Sequence, residues 1–276
     1  MTTGTATAGK RHGPGVAYIA VLRARIELKA FFRNRDSAMF SFALPVLLLL
    51  IFGSVFSGEI APGVTFSQYF VAGMIASGTV YTGFQNLAIS IPIERDEGSL
   101  KRLVGTPMPK SAYFLGKIGL VAVSYVAQVT LLLVVGVLFF KIRLPQTAFQ
   151  WETFIWLSVL GLSCCTLLGI AFSSVAKDGK GAPALVTPIV LVLQFTSGVF
   201  FQYDQLPAWM QQLSALFPLK WLCQGMRFVF LPDNFQSIET AGDWELPKVA
   251  MVLVVWTLLG ALLAGTTFAW LRRGER

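Results

Sequence analysis

Apolar residues gather along this chain into six long blocks, over residues 38–56, 70–91, 113–140, 153–176, 184–201 and 249–271. Each is near the ~20 residues that a helix needs to cross a bilayer. The pattern predicts an all-α integral membrane protein with six transmembrane helices and both termini on one side. Pro45, Pro183 and Pro188 fall within or at the mouths of these blocks. Neighbouring membrane helices tolerate such prolines by satisfying the backbone groups they free.

Two further apolar patterns are too short or too mixed to cross. Residues 15–35 place Ile19, Leu22, Ile26 and Ala30 at helical spacing, with Arg23, Arg25, Glu27, Lys29 and Arg33 among them. This spacing predicts an amphipathic helix lying along the inner membrane surface. Amphipathicity reports the interface and not the ligand, so a simple anchor and a partner contact both remain open. Residues 208–217 and 219–231 are apolar pieces of ten to thirteen residues separated by Pro218. That length suits an extracytoplasmic re-entrant hairpin before the last span, with Tyr203, Trp209, Trp221 and Phe228 as an aromatic belt. Arg227 either lines an external exit or snorkels to headgroups from a half-buried helix.

Between the second and third blocks stands the densest polar stretch of the chain. It reads Glu94-Arg95-Asp96-Glu97-Gly98-Ser99-Leu100-Lys101-Arg102-Leu103-Val104-Gly105-Thr106-Pro107. Such a charge cluster cannot sit in hydrocarbon and must face water. As a helix it sets Leu100, Leu103 and Val104 on one side and Glu97, Lys101 and Arg102 on others, with Gly98 and Pro107 as breaks.

Composition fits a membrane class, with 55% hydrophobic residues, 13% charged and a mean hydropathy of +0.66. The net charge of +8 is mostly topological: seventeen of 22 Lys and Arg fall on the side of the N-terminus. By the positive-inside rule that side is cytoplasmic, and it includes the polar stretch. No uninterrupted apolar core of a signal peptide precedes the first block, so the N-terminus is expected in the cytosol. The charge is not read as nucleic-acid binding.

Other chemistries find little support. Gly4 to Lys10 has the spacing of a phosphate-binding loop, but Arg11 stands where Ser or Thr is required and no strand precedes it. Any ATP hydrolysis must then come from a separate polypeptide, for which the polar stretch and the N-terminal helix are the natural docking surfaces. Glu94, Arg95, Glu97, Lys101 and Arg102 offer it charge pairs, and Leu100 and Leu103 an apolar contact. No ionisable residue lies at the centre of a proposed span, Glu94 and Lys117 sitting at edges, which argues against an ion-driven carrier. His12 is the single histidine, and Cys164, Cys165 and Cys223 lack zinc spacing. No metal site or catalytic constellation is expected.

The polar stretch, followed by Leu115-Gly116-Lys117-Ile118, resembles the first cytoplasmic loop of ABC-2 type exporter permeases. Residues 197–207, with Ser-Gly and then Leu-Pro ahead of Pro218 and Arg227, resemble the outer loop of the same family. The resemblance covers essentially the whole chain and implies a single transmembrane domain over 1–276. Its parts would be a cytoplasmic tail and interfacial helix over 1–37, a coupling loop over 92–112, and an external hairpin and loop over 202–248. It implies a non-enzymatic permease subunit in the cytoplasmic membrane, paired with a second permease subunit and two ABC ATPase subunits. ATP and magnesium would be used by the ATPases. The ATPase-coupling residues implied are Glu94, Arg95, Glu97, Gly98, Leu100, Lys101, Arg102, Leu103, Thr106 and Pro107, with Arg23, Arg25, Ile26, Lys29 and Arg33 on the interfacial helix. Phe200, Phe201, Pro218 and Arg227 would stand at the outer gate. Within the family this loop looks most like members linked to export of drugs and natural products. Export of lipid or lipid-linked glycan, and a non-transporting scaffold subunit, are the competing expectations.

Overall fold

The computed structural model describes residues 15–33, 35–56, 58–106, 108–268 and 270, and no side chains for 35–38 and 40. Gly4 to Lys10, Arg11, His12 and Pro107 lie outside the described residues.

The chain forms eleven α-helices and one small hairpin among the described residues. The surface helix α1 (Val16–Arg33) leads into α2 (Arg35–Val55), which carries Pro45. Strands β1 (Glu59–Ala61) and β2 (Val64–Thr65) pair antiparallel. Helix α3 (Phe66–Thr79) continues through a π-helical stretch, Val80–Gln85, into α4 (Asn86–Asp96). A short helix α5 (Ser99–Val104) follows, then the long α6 (Lys110–Phe140) and α7 (Ala148–Phe172). The chain ends through α8 (Ala182–Thr196), α9 (Ala208–Ala215), α10 (Pro218–Phe230) and α11 (Leu246–Thr267).

Local sequence sets several of these starts. Thr65 and Thr147 accept from the backbone N–H three residues on, while the Gln68 and Gln150 side chains reach back to the N–H of each cap. These reciprocal bonds satisfy two otherwise orphaned donors and fix where α3 and α7 begin. Pro218, expected only as a break, occupies the first turn of α10, where its missing N–H costs nothing.

By length and hydropathy, α6, α7 and α11 are each sufficient to cross a membrane, whereas the apolar parts of α2 and α8 are shorter. The helix expected over 184–201 stops at Thr196, because Gly198 turns the chain with φ of 78°. The second block instead runs longer than expected, from Phe66 to Asp96 through the π-helical stretch.

The main core gathers Phe70, Ile75, Leu132, Leu157, Leu222, Met226 and Leu253 from α3, α6, α7, α10 and α11. Helix α10 is buried along nearly all its length against α3, α7 and α11. Trp221 and Tyr203 are therefore buried rather than belted around the rim, and only Trp209 of that expected set stands well exposed. Gly169 packs inside the subunit, where an added Cβ would meet the Gly83 carbonyl oxygen at 2.7 Å. A separate cluster of Leu87, Ile91, Leu100, Tyr113, Val121 and Ile170 seals the end of the bundle that carries the charged loop.

Candidate functional site

Helix α6 is 31 residues long, and from Lys117 to Phe140 it rises roughly 35 Å, already more than the ~30 Å hydrocarbon core. Its first two turns therefore extend past the apolar layer and meet α1 and the end of α4. The closeness of α1 depends on a glycine: a Cβ on Gly116 would lie 2.5 Å from Cγ of Arg23.

At this crossing two cations face two carboxylates. The Lys117 ammonium is 1% exposed; it donates to Glu27 Oε2 at 2.9 Å and pairs with Glu94 Oε1. Arg23 pairs with Glu27 one turn along α1 and approaches Glu94 at 4.0 Å. The Tyr113 hydroxyl donates to Glu94 Oε2 at 3.0 Å, and its ring lies under both cations, 5.5 Å from the Arg23 guanidinium carbon and 5.6 Å from Lys117 Nζ. Burial on this scale is tolerable only because every charge has a partner.

The loop is braced on its other flank as well. The Arg95 guanidinium donates to the Ser173 carbonyl at 3.3 Å, and Asp96 Oδ2 accepts from the Gly179 N–H at 2.6 Å. Both bonds tie the end of α4 to the connection between α7 and α8. Partial burial pulls Arg95 below its ordinary pKa, with Tyr113 and Asp96 pulling the other way. Gly98, at φ of 71°, makes the left-handed turn that starts α5.

Leu100 is 0% exposed and anchors α5 into the sealing cluster, with Leu103 half-buried beside it. The exposed surface of the loop carries Glu97, Lys101, Arg102, Val104 and Thr106. On α1, Arg25, Ile26, Lys29 and Arg33 face outward, while Arg23 turns in. Sequence reading took Glu27, Glu94 and Lys117 as separate surface or edge charges; the fold joins them. The signals were there in a lone Glu on a basic helix and a Lys one step inside an apolar block.

The far end of the bundle holds a second buried pair. Arg227 is 1% exposed and grips Glu239 with Nε and Nη2, the latter at 3.0 Å. It therefore does not snorkel, and Glu239 went unmarked in the sequence. Tyr69 accepts from the Tyr203 N–H at 3.0 Å and donates to the Phe201 carbonyl at 3.2 Å, linking α3 to this network. Phe200 is buried against Phe52, Phe70 and Phe195, Phe201 is half exposed, and Pro218 is buried. Phe200 and Phe201 border a cavity of about 420 Å³ between the end of α2 and the turn after α8.

Long apolar helices enclosing two buried ion-pair networks, with a charged loop at one end, define a helical membrane protein whose loop is clamped to its helices. The family model described as ABC-2 type transporter matches residues 21–231, and the chain belongs to that family. It is similar to the inner membrane transport permease YadH of Escherichia coli, 26% identical over 77% of this chain and 83% of that protein. The putative transport permease ycf38 of Porphyra purpurea is 23% identical over 89% of this chain and 86% of its own length. The probable multidrug ABC transporter permease YbhR of E. coli is 22% identical over 67% of this chain and half of its own. The protein is thus a membrane transport permease, a subunit type for which a separate ATPase hydrolyses ATP.

Proposed function

We propose that this chain is the permease subunit of an ATP-driven exporter, moving a hydrophobic or amphipathic substrate of the drug or natural-product kind outward. Six crossings, made by α2, the α3–α4 unit, α6, α7, α8 and α11, leave both termini in the cytoplasm. Helices α9 and α10 form a re-entrant hairpin on the outer side. Two copies, or this chain and a related one, pair with two ATPase subunits docked on residues 92–112 and on α1.

The observation that carries this reading is the ion cluster of Arg23, Glu27, Glu94 and Lys117. A push on the exposed face of α5 would reach α4 and α6 through the buried Leu100 and the Glu94–Lys117 pair, and α1 through Glu27. Rigid elements with two arrangements are what such coupling requires. Reversing charge at Glu97 together with Arg102 is expected to uncouple ATP hydrolysis from transport in reconstituted vesicles, with the thermal unfolding of the permease unchanged. Transport that keeps its normal ratio to hydrolysis would overturn the docking assignment.

A further inference from the structure

A cleft of about 610 Å³ opens between α2, the π-helical stretch with α4, and α6. Phe42 and Pro45 line one wall, Tyr81 and Gln85 a second, Ser124 and Gln128 the third. Ser77 and Thr79 bond back to the Met74 and Ala76 carbonyls of their own helix, and Thr82, on the cleft wall, does the same with Gly78. In the cleft, Gln85 Oε1, Ser90 Oγ, Ser124 Oγ and Gln128 Nε2 are buried without a protein partner. Ser124 and Gln128 are each only 2% exposed.

A buried polar atom left unpaired keeps the full cost of having lost its water. Four around one cleft is a large outlay unless whatever fills the cleft supplies the missing partners. The wall that carries Tyr81 and Gln85 is also the segment where the helix widens to i→i+5 bonding, a distortion that tends to mark functional sites. The occupant can be described from these atoms. Gln85 Oε1 needs a donor, Gln128 Nε2 an acceptor, and the two serines take either. Among the lining residues only Glu94 carries a formal charge at neutral pH, and Lys117 already pairs with it.

We infer that this cleft is a binding site for an uncharged amphiphile, whose hydroxyl or amide groups pair with Gln85, Ser90, Ser124 and Gln128 while its apolar body lies against Phe42 and Pro45. Transported cargo and a resident neutral lipid share this chemistry. The site stands on its own atoms and does not depend on the direction of transport.

Ser41→Cys provides the test, because Ser41 stands exposed on the cleft wall while Cys164, Cys165 and Cys223 are all buried and give a quiet background. The full-length variant, in nanodiscs with its ATPase, is labelled with a maleimide in the presence of octyl glucoside or octyl sulfate, both below micelle formation. Octyl glucoside is expected to slow labelling at least fivefold, and octyl sulfate less than twofold. Adding Gln128→Leu raises the protecting concentration at least tenfold, while the thermal midpoint holds or rises because an unpaired amide is gone. Equal action of the two amphiphiles, no protection, or a Gln128→Leu variant that loses stability yet keeps protection would overturn the site. Stimulated ATP hydrolysis alongside protection assigns the ligand to cargo; protection without stimulation assigns it to a lipid.

Discussion

At the scale of single residues, Lys117 carries the most consequence. It is the most deeply buried cation of a cluster in which Glu27 and Glu94 would otherwise share Arg23 alone as a cationic partner. Removing one partner of a buried ion pair typically costs about 3–5 kcal/mol, far more than deleting the pair together. Lys117→Met is therefore expected to lower the thermal midpoint of the purified permease strongly. Adding Glu27→Leu should restore part of the loss, and a double variant less stable than the single one would contradict the pairing. The sequence displayed Lys117 and Glu94 as charges at block edges, and that position was legible. Their partnership was not, because it joins residues 90 and 23 positions apart, and charge patterns report spacing along one helix only. Arg227 shows the same limit: nothing local told a snorkelling arginine from one whose carboxylate partner lies beyond the end of its helix.

At the scale of elements, hydrophobic blocks located the helices well and their ends less well. The blocks at 113–140 and 249–271 became α6 and α11 with shifts of a few residues. Block length did not show the bend at Gly198 or the π-helical stretch, since neither changes the apolar count. The β1–β2 hairpin was invisible for the opposite reason: three and two residues are too few to establish an alternation. The amphipathic reading of α1 found the helix but not the face that packs. Ile26 remains exposed, while Ala24 and Glu27 meet α6, whose Gly116 and Gly119 leave the room. Gly116→Val is accordingly expected to push α1 off α6 and break the Glu27–Lys117 contact. In cysteine crosslinking between the two helices, yield should fall severalfold while total helix content by circular dichroism is kept. An unchanged yield would show that the crossing does not depend on that missing side chain.

At the scale of the whole molecule, the charges divide into two populations by their access to water. Those inside the clamp are shut away, whereas Glu97, Lys101 and Arg102 point into solvent. Dissolved ions shrink the reach of exposed charges to about 8 Å at physiological strength and about 3 Å at 1 M, and leave dry pairs nearly untouched. With the ATPase docked as proposed, raising salt on a purified assembly is expected to strip it away first, in size-exclusion runs between ~0.1 and ~1 M chloride, with the melting profile of the released permease intact. Brine would act here as a selective solvent, dissolving the handshake between proteins while the knot inside one of them stays tied.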